Sequence, residues 1–485
     1  MDATHRRQRR SSAVQAGGRK RAGMAGSIDS SRRAGRFLAR LGMLIALSFV
    51  AMARPAFAQQ ILRDAETEAL FRDMSRPLVE AAGLRPDNVQ VVLLQDPSIN
   101  AFVAGGQIVY LQTGLIVDAH NLNEVQGVVA HELGHITGGH IIRTADGARQ
   151  ATGISILSLL IGAAAVAAGA GDAGIGAVLA GQQAAMGSFL AFSRTQEASA
   201  DQAAVAYLRG SGISGQGLLA FFGRLQNMEY RMSLASDDGS FASDHPLTGD
   251  RIALLQQTLQ ADPAWNHQTD PALEARFQRV RAKLIGYVQD PQRVFTQYPE
   301  SDQSIPARYA RAYAWHRAAH PDRALAEADS LLRDRPNDPF FLELKGQILL
   351  ESGRPREAVA VLRQAVTAAP DQPLIGALFG HALIATEDPA NFHEAEQVLK
   401  LAVQRDNSNP FAWYQLGIIY DREGDEARAA LATAERYNLE NQPRLALVNA
   451  ERAMMGIPAN TPDWLRAQDI AMVSRTAQQR RRRND

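Results

Sequence analysis

Gly127-Val128-Val129-Ala130-His131-Glu132-Leu133-Gly134-His135 is a run of small and apolar residues that closes on the pattern H-E-x-x-H. Residues four apart share one face of a helix, so both imidazoles can reach one metal ion from a single turn. Glu132 lies beside that face, placed to take a proton from a metal-bound water, and Gly134 leaves room near the metal. By chance the five-residue pattern occurs in roughly one chain in a hundred of this size, so its surroundings have to decide. The 485 residues include no cysteine, which removes thiolate ligands, disulfides and thiol nucleophiles together. Any metal must therefore be held by nitrogen and oxygen, and zinc is the ion this motif serves.

A catalytic zinc site needs a third protein ligand and one open position. His140 falls one residue short of the place that H-E-x-x-H-x-x-G-x-x-H demands, where this chain has Ile141. Helix geometry favours reading His140 as an ordinary helix-end histidine. The other candidate is Glu197, in Glu197-Ala198-Ser199-Ala200-Asp201. Here Glu197 and Asp201 again share a face, so Glu197 can ligate while Asp201 accepts a hydrogen bond from a ligand imidazole and fixes its tautomer. An isolated E-x-x-x-D is a solvated helix face; beside His131 and His135 the ligating reading is favoured.

Outward from the motif, helical periodicity covers 64–82, and 89–94 and 106–112 read as strands. The motif helix spans about 123–140, starting after Asn121 or Asn123, and another covers 194–208, stopped by Gly210 and Gly212. Polar, turn-forming residues fill 236–249. Between the two helices lies a small-residue apolar run, 153–190, interrupted by Asp172. It admits two readings: a membrane span at 154–170, or a helical hairpin that covers the cleft or dips into a membrane surface. Its wealth of Ala and Gly, and its place between helices that must meet at one zinc, favour the hairpin.

The C-terminal third differs in kind. Pro339, Pro373, Pro410 and Pro443 follow turn-like segments at intervals of 34, 37 and 33 residues. Trp413-x-x-Leu416-Gly417-x-x-Tyr420, with Ala429 following, fits the tetratricopeptide helix–turn–helix unit, whose period is ~34 residues. Gly346, Gly353, Ala358, Leu362 and Ala365 repeat its offsets, whereas the unit with Gly380, Ala395 and Leu399 fits only with three inserted residues. Small residues are expected where paired helices touch, and such stacks form concave surfaces for peptides or partner proteins.

Basic and acidic residues balance at 51 each, but 12 of the basic and 2 of the acidic ones lie in residues 1–58, leaving 39 and 49 for the remainder. A net-acidic body makes nucleic acid an unfavourable partner, and Arg480–Arg483 reads as a solvated tail. The basic start, the apolar stretch 41–53 and Ala56-Phe57-Ala58 read as a signal peptide cleaved near Ala58/Gln59, which takes the protein out of the cytoplasm. A cysteine-free chain suits an oxidising compartment.

H-E-L-G-H, the small-residue region, E-A-x-A-D, and the segment Asn100-Ala-Phe-Val-Ala-Gly-Gly-Gln-Ile-Val-Tyr-Leu-Gln-Thr-Gly-Leu-Ile116 together resemble the gluzincin peptidases related to the CAAX prenyl protease and HtpX. With the leader and the repeats, the chain resembles the BepA-like (YfgC-like) periplasmic metalloproteases from about 60 to 475. The expected fold is α+β and mostly helical: leader 1–58, zinc metallopeptidase domain 59–295 with a small sheet, all-α tetratricopeptide solenoid 300–475, basic tail 476–485. The resemblance implies one Zn2+ held by His131, His135 and Glu197, with Glu132 as the base and Asp201 behind a ligand. It also implies an edge strand around Gly106, Ile108 and Tyr110 that pairs with an extended substrate, a mode that asks little of side chains. In such proteins a histidine at the His245-Pro246 site can fill the fourth zinc position and hold the enzyme latent; Arg251 stands for an oxyanion or a structural role. Unfolded or misassembled outer-membrane proteins would be the clients, helped as by a chaperone or degraded. The outer-membrane assembly machinery would dock on the repeats, and 153–190 would give peripheral membrane contact. The rivals are a repeat-based scaffold with an inactive site and an integral membrane protease.

Overall fold

Local signals set the ends of the elements. The structure, a computed structural model, describes residues 60–167, 171–232 and 245–484; the leader, with its cleavage point, and most of 236–249 lie outside them. Helix α1 (Ala65–Ala81) is capped by Asp64, whose carboxylate accepts from the Thr67 amide at 2.7 Å. Strands β1 (Gln60–Ile61), β2 (Gln90–Gln95), β3 (Ala101–Ala104) and β4 (Ile108–Gln112) form one sheet in the order β1-β2-β4-β3. The pair β2/β4 is parallel and both outer pairs are antiparallel.

The expected edge strand needs correction. Val109 pairs with Val91 on one side and Val103 on the other, so β4 is an inner strand whose backbone, at Ile108 and Tyr110, has no free edge. Gly105 and Gly106, at φ +63° and +104°, turn the chain back on itself. The strand read at 106–112 is therefore the inner arm of a hairpin with β3 on the outside, and Gly106 lies in its turn.

After the short α2 (Thr113–Asp118), the motif helix is α3 (Leu122–Thr137). Asn121 is its cap, Oδ1 accepting from the Glu124 amide at 3.1 Å. Every residue from Leu122 to His135 is buried, in a core that includes Phe71, Met74, Val128, Phe221 and Phe222. The helix stops three residues short of 140, because Gly138-Gly139, with Gly139 at φ +62°, breaks it before α4 (His140–Ala167). Helix α5 (Gly171–Ser211) follows and ends just before Gly212 at φ +67°.

Helices α4 and α5 pack antiparallel, Ser158 against Gly181 and Gly147 against Phe192. A Cβ on Gly181 would fall 1.9 Å from that of Ser158. The apolar run 153–190 is thus a hairpin, with small residues at its seam and Leu157, Leu160, Leu179 and Met186 outside; Leu160 is 64% exposed. Among the described residues one helical stretch, Ile175–Ser211, is long and apolar enough to cross a membrane. Helices α6 (Gln216–Met232), α7 (Gly249–Gln260), α8 (Pro271–Val288) and α9 (Pro291–Gln297) complete this half.

Five helix pairs follow: α10 (Ile305–Arg317) with α11 (Pro321–Asp334), α12 (Pro339–Glu351) with α13 (Pro355–Ala368), α14 (Pro373–Ala385) with α15 (Phe392–Arg405), α16 (Pro410–Arg422) with α17 (Glu426–Leu439), and α18 (Pro443–Gly456) with α19 (Pro462–Asn484). The four periodic prolines each begin the leading helix of a pair, where the missing N–H has no bond to lose. The three-residue insertion is a single 3-10 turn, Pro389–Asn391. Gly346 and Gly380 lie against Leu362 and Leu399, where an added Cβ would come within 2.4 and 2.5 Å. The basic tail continues α19 to Asn484.

The start of α1 is embedded in these repeats. Ala65 packs with Leu342, Ala365, Ala369 and Ile375, and Arg63 bonds Asp406 at 2.7 Å. Glu66 accepts from the Tyr309 hydroxyl at 2.8 Å and pairs with Arg279 at 2.6 Å; Arg279 also pairs with Asp338 at 2.6 Å, and Lys283 with Asp64. Three carboxylates thus face two cations. Burial, opposed by Lys283 and reinforced by Asp64 and Glu66, pushes a further carboxyl on α12, Glu343, up to about 8 from its ordinary 4.5. A folded-state acid raised in this way holds its proton after the unfolded chain has lost it, so stability falls as pH rises between those two values. Glu343→Gln, which stays neutral, is expected to raise the melting temperature at pH 8, the gain vanishing toward pH 4. Parallel melting curves for the two proteins across that range would refute the assignment.

Candidate metal centre

Two buried helices meet at one point. Helix α3 supplies His131 and His135, and α5 supplies Glu197 and Asp201. Gly134, between the two histidines, is what lets them meet: a Cβ there would lie 2.7 Å from the carbonyl oxygen of Ala200 and 2.8 Å from its Cα. The room expected near the metal is occupied by the backbone of the partner helix.

The His131 and His135 Nε2 atoms face each other at 3.1 Å, and each lies 3.4 Å from a Glu197 oxygen. His245, from the segment before α7, brings its Nδ1 to 3.1 Å from Glu197 and 3.4 Å from His131 Nε2. One donor atom from each of these four buried residues lies within 4.8 Å of the others. Ligands ~2.0–2.1 Å from a tetrahedral zinc stand ~3.3–3.4 Å apart, so the spacing and the nitrogen–oxygen donor set both fit that ion. The Nε2 of His245 lies 3.6 Å from Glu132 Oε1, placing Glu132 at the rim of the cluster and outside the ligand set.

Behind the donors stand their supports. Asp201 Oδ1 sits 3.0 Å from His131 Nδ1. Arg251 grips Asp201 with Nε and Nη2 at 2.8 and 2.9 Å, while its Nη1 reaches the Pro246 carbonyl at 2.7 Å and Glu197 at 3.1 Å. Those contacts tie the His245 segment to the carboxylates of Asp201 and Glu197. Its guanidinium also lies over Phe222, whose ring meets His131 edge-on. Burial disfavours charge on every group here. The Asp201 carboxylate is nevertheless held below its ordinary value by His131 and Arg251. Despite its own burial, His131 is held up to about 10 by Asp201 and Glu197. His135, buried beside the imidazoles of His131, His245 and His140, is pushed down to about 2.

All four expected centre residues come together with His245, and Asp201 stands where a ligand's support should. Gly106, Ile108 and Tyr110 do not present a free edge; the outer strand nearest the motif helix is β3, which packs on α3. His140 is neither a ligand nor an ordinary helix-end residue, since its Nδ1 lies 3.0 Å from that of His135. The signal for it was Gly138-Gly139, whose break places a third histidine against the second.

An H-E-x-x-H helix joined by a glutamate from a later helix defines the gluzincin type of centre. Residues 62–259 match the profile of peptidase family M48, and residues 341–372 match that of the tetratricopeptide repeat. It is 26% identical over 309 residues to the beta-barrel assembly-enhancing protease of Yersinia pestis, covering 61% of each chain. With the metalloprotease LoiP of Escherichia coli it shares 30% over 183 residues, covering 37% of this chain and 65% of that one. The matched part is therefore about three fifths of the length of these relatives. Among solved structures it is similar to YrrB, a tetratricopeptide protein with an unusual peptide-binding site, at 19% identity over 36% of this chain and 91% of that one, TM-score 0.30.

The close approach at Gly134 is directly testable. Gly134→Ala presses a methyl on backbone that cannot swing aside, and a loss of about 1–3 kcal/mol in stability is expected. Metal retained after dialysis should fall with it. Retention equal to wild type would show that the helix contact does not set the ligand spacing.

Proposed function

We propose that this chain is a zinc-dependent metalloendopeptidase of the bacterial envelope, held latent by His245. The observation that carries it is the set of four donors at tetrahedral spacing with Glu132 beside them. His131, His135 and Glu197 would hold the ion, and His245 the fourth position. A bound zinc would polarise the scissile carbonyl and acidify water. Glu132 takes the proton of the attacking water and returns it to the departing amine. While His245 Nδ1 stands among the ligands, water has no place there, so its segment must withdraw before turnover. Asp201 orients His131, and Arg251 holds Asp201 and the Pro246 carbonyl together.

The unpaired side of β3 is the strand we assign to substrate, in place of β4, because backbone pairing accepts unfolded chains with little regard to sequence. Clients by this reading are outer-membrane β-barrel proteins that have failed to assemble, as the name of the Yersinia relative suggests. The repeat module, 300–475, would recruit them or dock the peptidase module, 59–295, on the assembly machinery. Secretion to the periplasm and cleavage near Ala58/Gln59 rest on the leader. Contact of 153–190 with a membrane surface rests on the hairpin's packing, small residues within and large apolar ones without, as in helices surrounded by lipid. The occupied fourth position also favours a second reading, a repeat-based chaperone whose peptidase site stays shut.

Glu132→Gln should retain zinc and lose about 10²–10⁴-fold in cleavage of an unfolded outer-membrane protein. Equal cleavage would take Glu132 out of the mechanism. His245→Ala should cleave faster than wild type, and a strong loss would instead give His245 a productive part. If the hairpin touches lipid, alkaline carbonate should strip the mature protein from membranes only partly, and Leu160→Asp should make it fully extractable; extraction identical in the two would count against that contact.

A further inference from the structure

His135 and His131 present the same atom to the cluster, yet their far nitrogens are supported differently. His131 Nδ1 meets a carboxylate, Asp201, at 3.0 Å. His135 Nδ1 meets another imidazole, the Nδ1 of His140, at 3.0 Å. The His140 side chain is buried, and the two rings stand edge to face with centroids 4.9 Å apart at 80°.

The backbone between them is shaped for this contact. Helix α3 ends at Thr137, Gly139 turns at φ +62°, and α4 opens with His140. The ring then folds back over Gly138, where a Cβ would lie 2.3 Å from His140 Nε2. Gly138 itself has φ −69°, which any residue adopts, so what it contributes is space for that ring.

We propose that His140 is a positioning residue that fixes the tautomer and ring orientation of His135 toward the metal. A neutral imidazole carries one N–H. If His135 bears it on Nδ1 and donates to His140 Nδ1, its Nε2 lone pair points at His131, Glu197 and the ion between them. Rotation of the ring, or the other tautomer, removes that lone pair from the cluster. The centre is thus supported asymmetrically, one ligand by an anion and the other by a neutral ring. A support of this kind is worth about 10–100-fold in metal affinity.

This rests on the metal reading above, and the test separates the two. Full-length mature protein, stripped of metal, is titrated with Co2+ by visible absorption and with Zn2+ against a chelator. His140→Ala should bind both about 10–100-fold more weakly and change the Co2+ spectrum. His140→Asn, whose Oδ1 can accept from His135, should recover to within about threefold of wild type. Gly138→Ala, which displaces the ring and leaves the backbone unstrained, should reproduce the loss, and Gly138→Ala/His140→Ala should be no worse than His140→Ala. Unchanged affinity in His140→Ala or in Gly138→Ala overturns the proposal, as do losses that multiply in the double variant or an Asn variant as weak as the Ala one. Gly138→Ala and His140→Asn decide it even if His140→Ala fails to fold. Wild type that takes up neither ion overturns the metal reading itself.

Discussion

Everything in the centre depends on the backbone of one helix touching the backbone of another. Gly134 and Ala200 are in contact because neither has a side chain large enough to keep the helices apart. Ligands that must stand ~3.3 Å from one another cannot be delivered by long flexible side chains without loss of rotamer freedom. Short histidine and glutamate arms on closely packed, buried helices lose little, so the tight crossing does the work of preorganisation. The shell of Asp201, Arg251, Phe222 and His140 then removes the remaining ring rotations.

Burying so many ionisable groups needs compensation, and the two clusters of the molecule solve that differently. At the metal centre the carboxylates of Glu132, Glu197 and Asp201 outnumber the single guanidinium of Arg251, a surplus of negative charge that a bound cation can balance. At the join between α1 and the repeats, carboxylates outnumber cations and the excess is absorbed by protonation of Glu343. Removing a partner from either cluster leaves a charge in low dielectric, so neither tolerates piecemeal change. The repeats are consequently part of the ground on which the first helix stands.

Much of this was legible in the sequence because it is encoded by local spacing. H-E-x-x-H and E-x-x-x-D each place two groups on one helical face, the periodic prolines mark helix starts, and Gly346 and Gly380 mark close helix contacts. What was not legible depends on partners distant in the chain. Residues 106–112 read as an edge strand, since nothing local says that β4 will pair with β2 on one side and with β3 on the other. Nothing in the spacing of Arg279 and Lys283 singles them out, and only the fold brings Asp64 and Glu66 to them. His140 was considered as a ligand or a helix end; its contact with His135 follows from the left-handed turn at Gly139, which spacing alone does not reveal.

Helix α5 runs unbroken from the apolar hairpin to Glu197 and Asp201. Leu179, Met186, Leu190, Glu197 and Asp201 succeed one another at steps of seven and four, so they form a single stripe along that rod. At 1.5 Å per residue, the outermost of them stands about 27 Å from Glu197 with no joint between. Adding or deleting one residue within that stretch would swing the greasy ridge about 100° around the axis relative to Glu197 and Asp201, which makes the length of this rod, more than its composition, the quantity the fold must keep fixed.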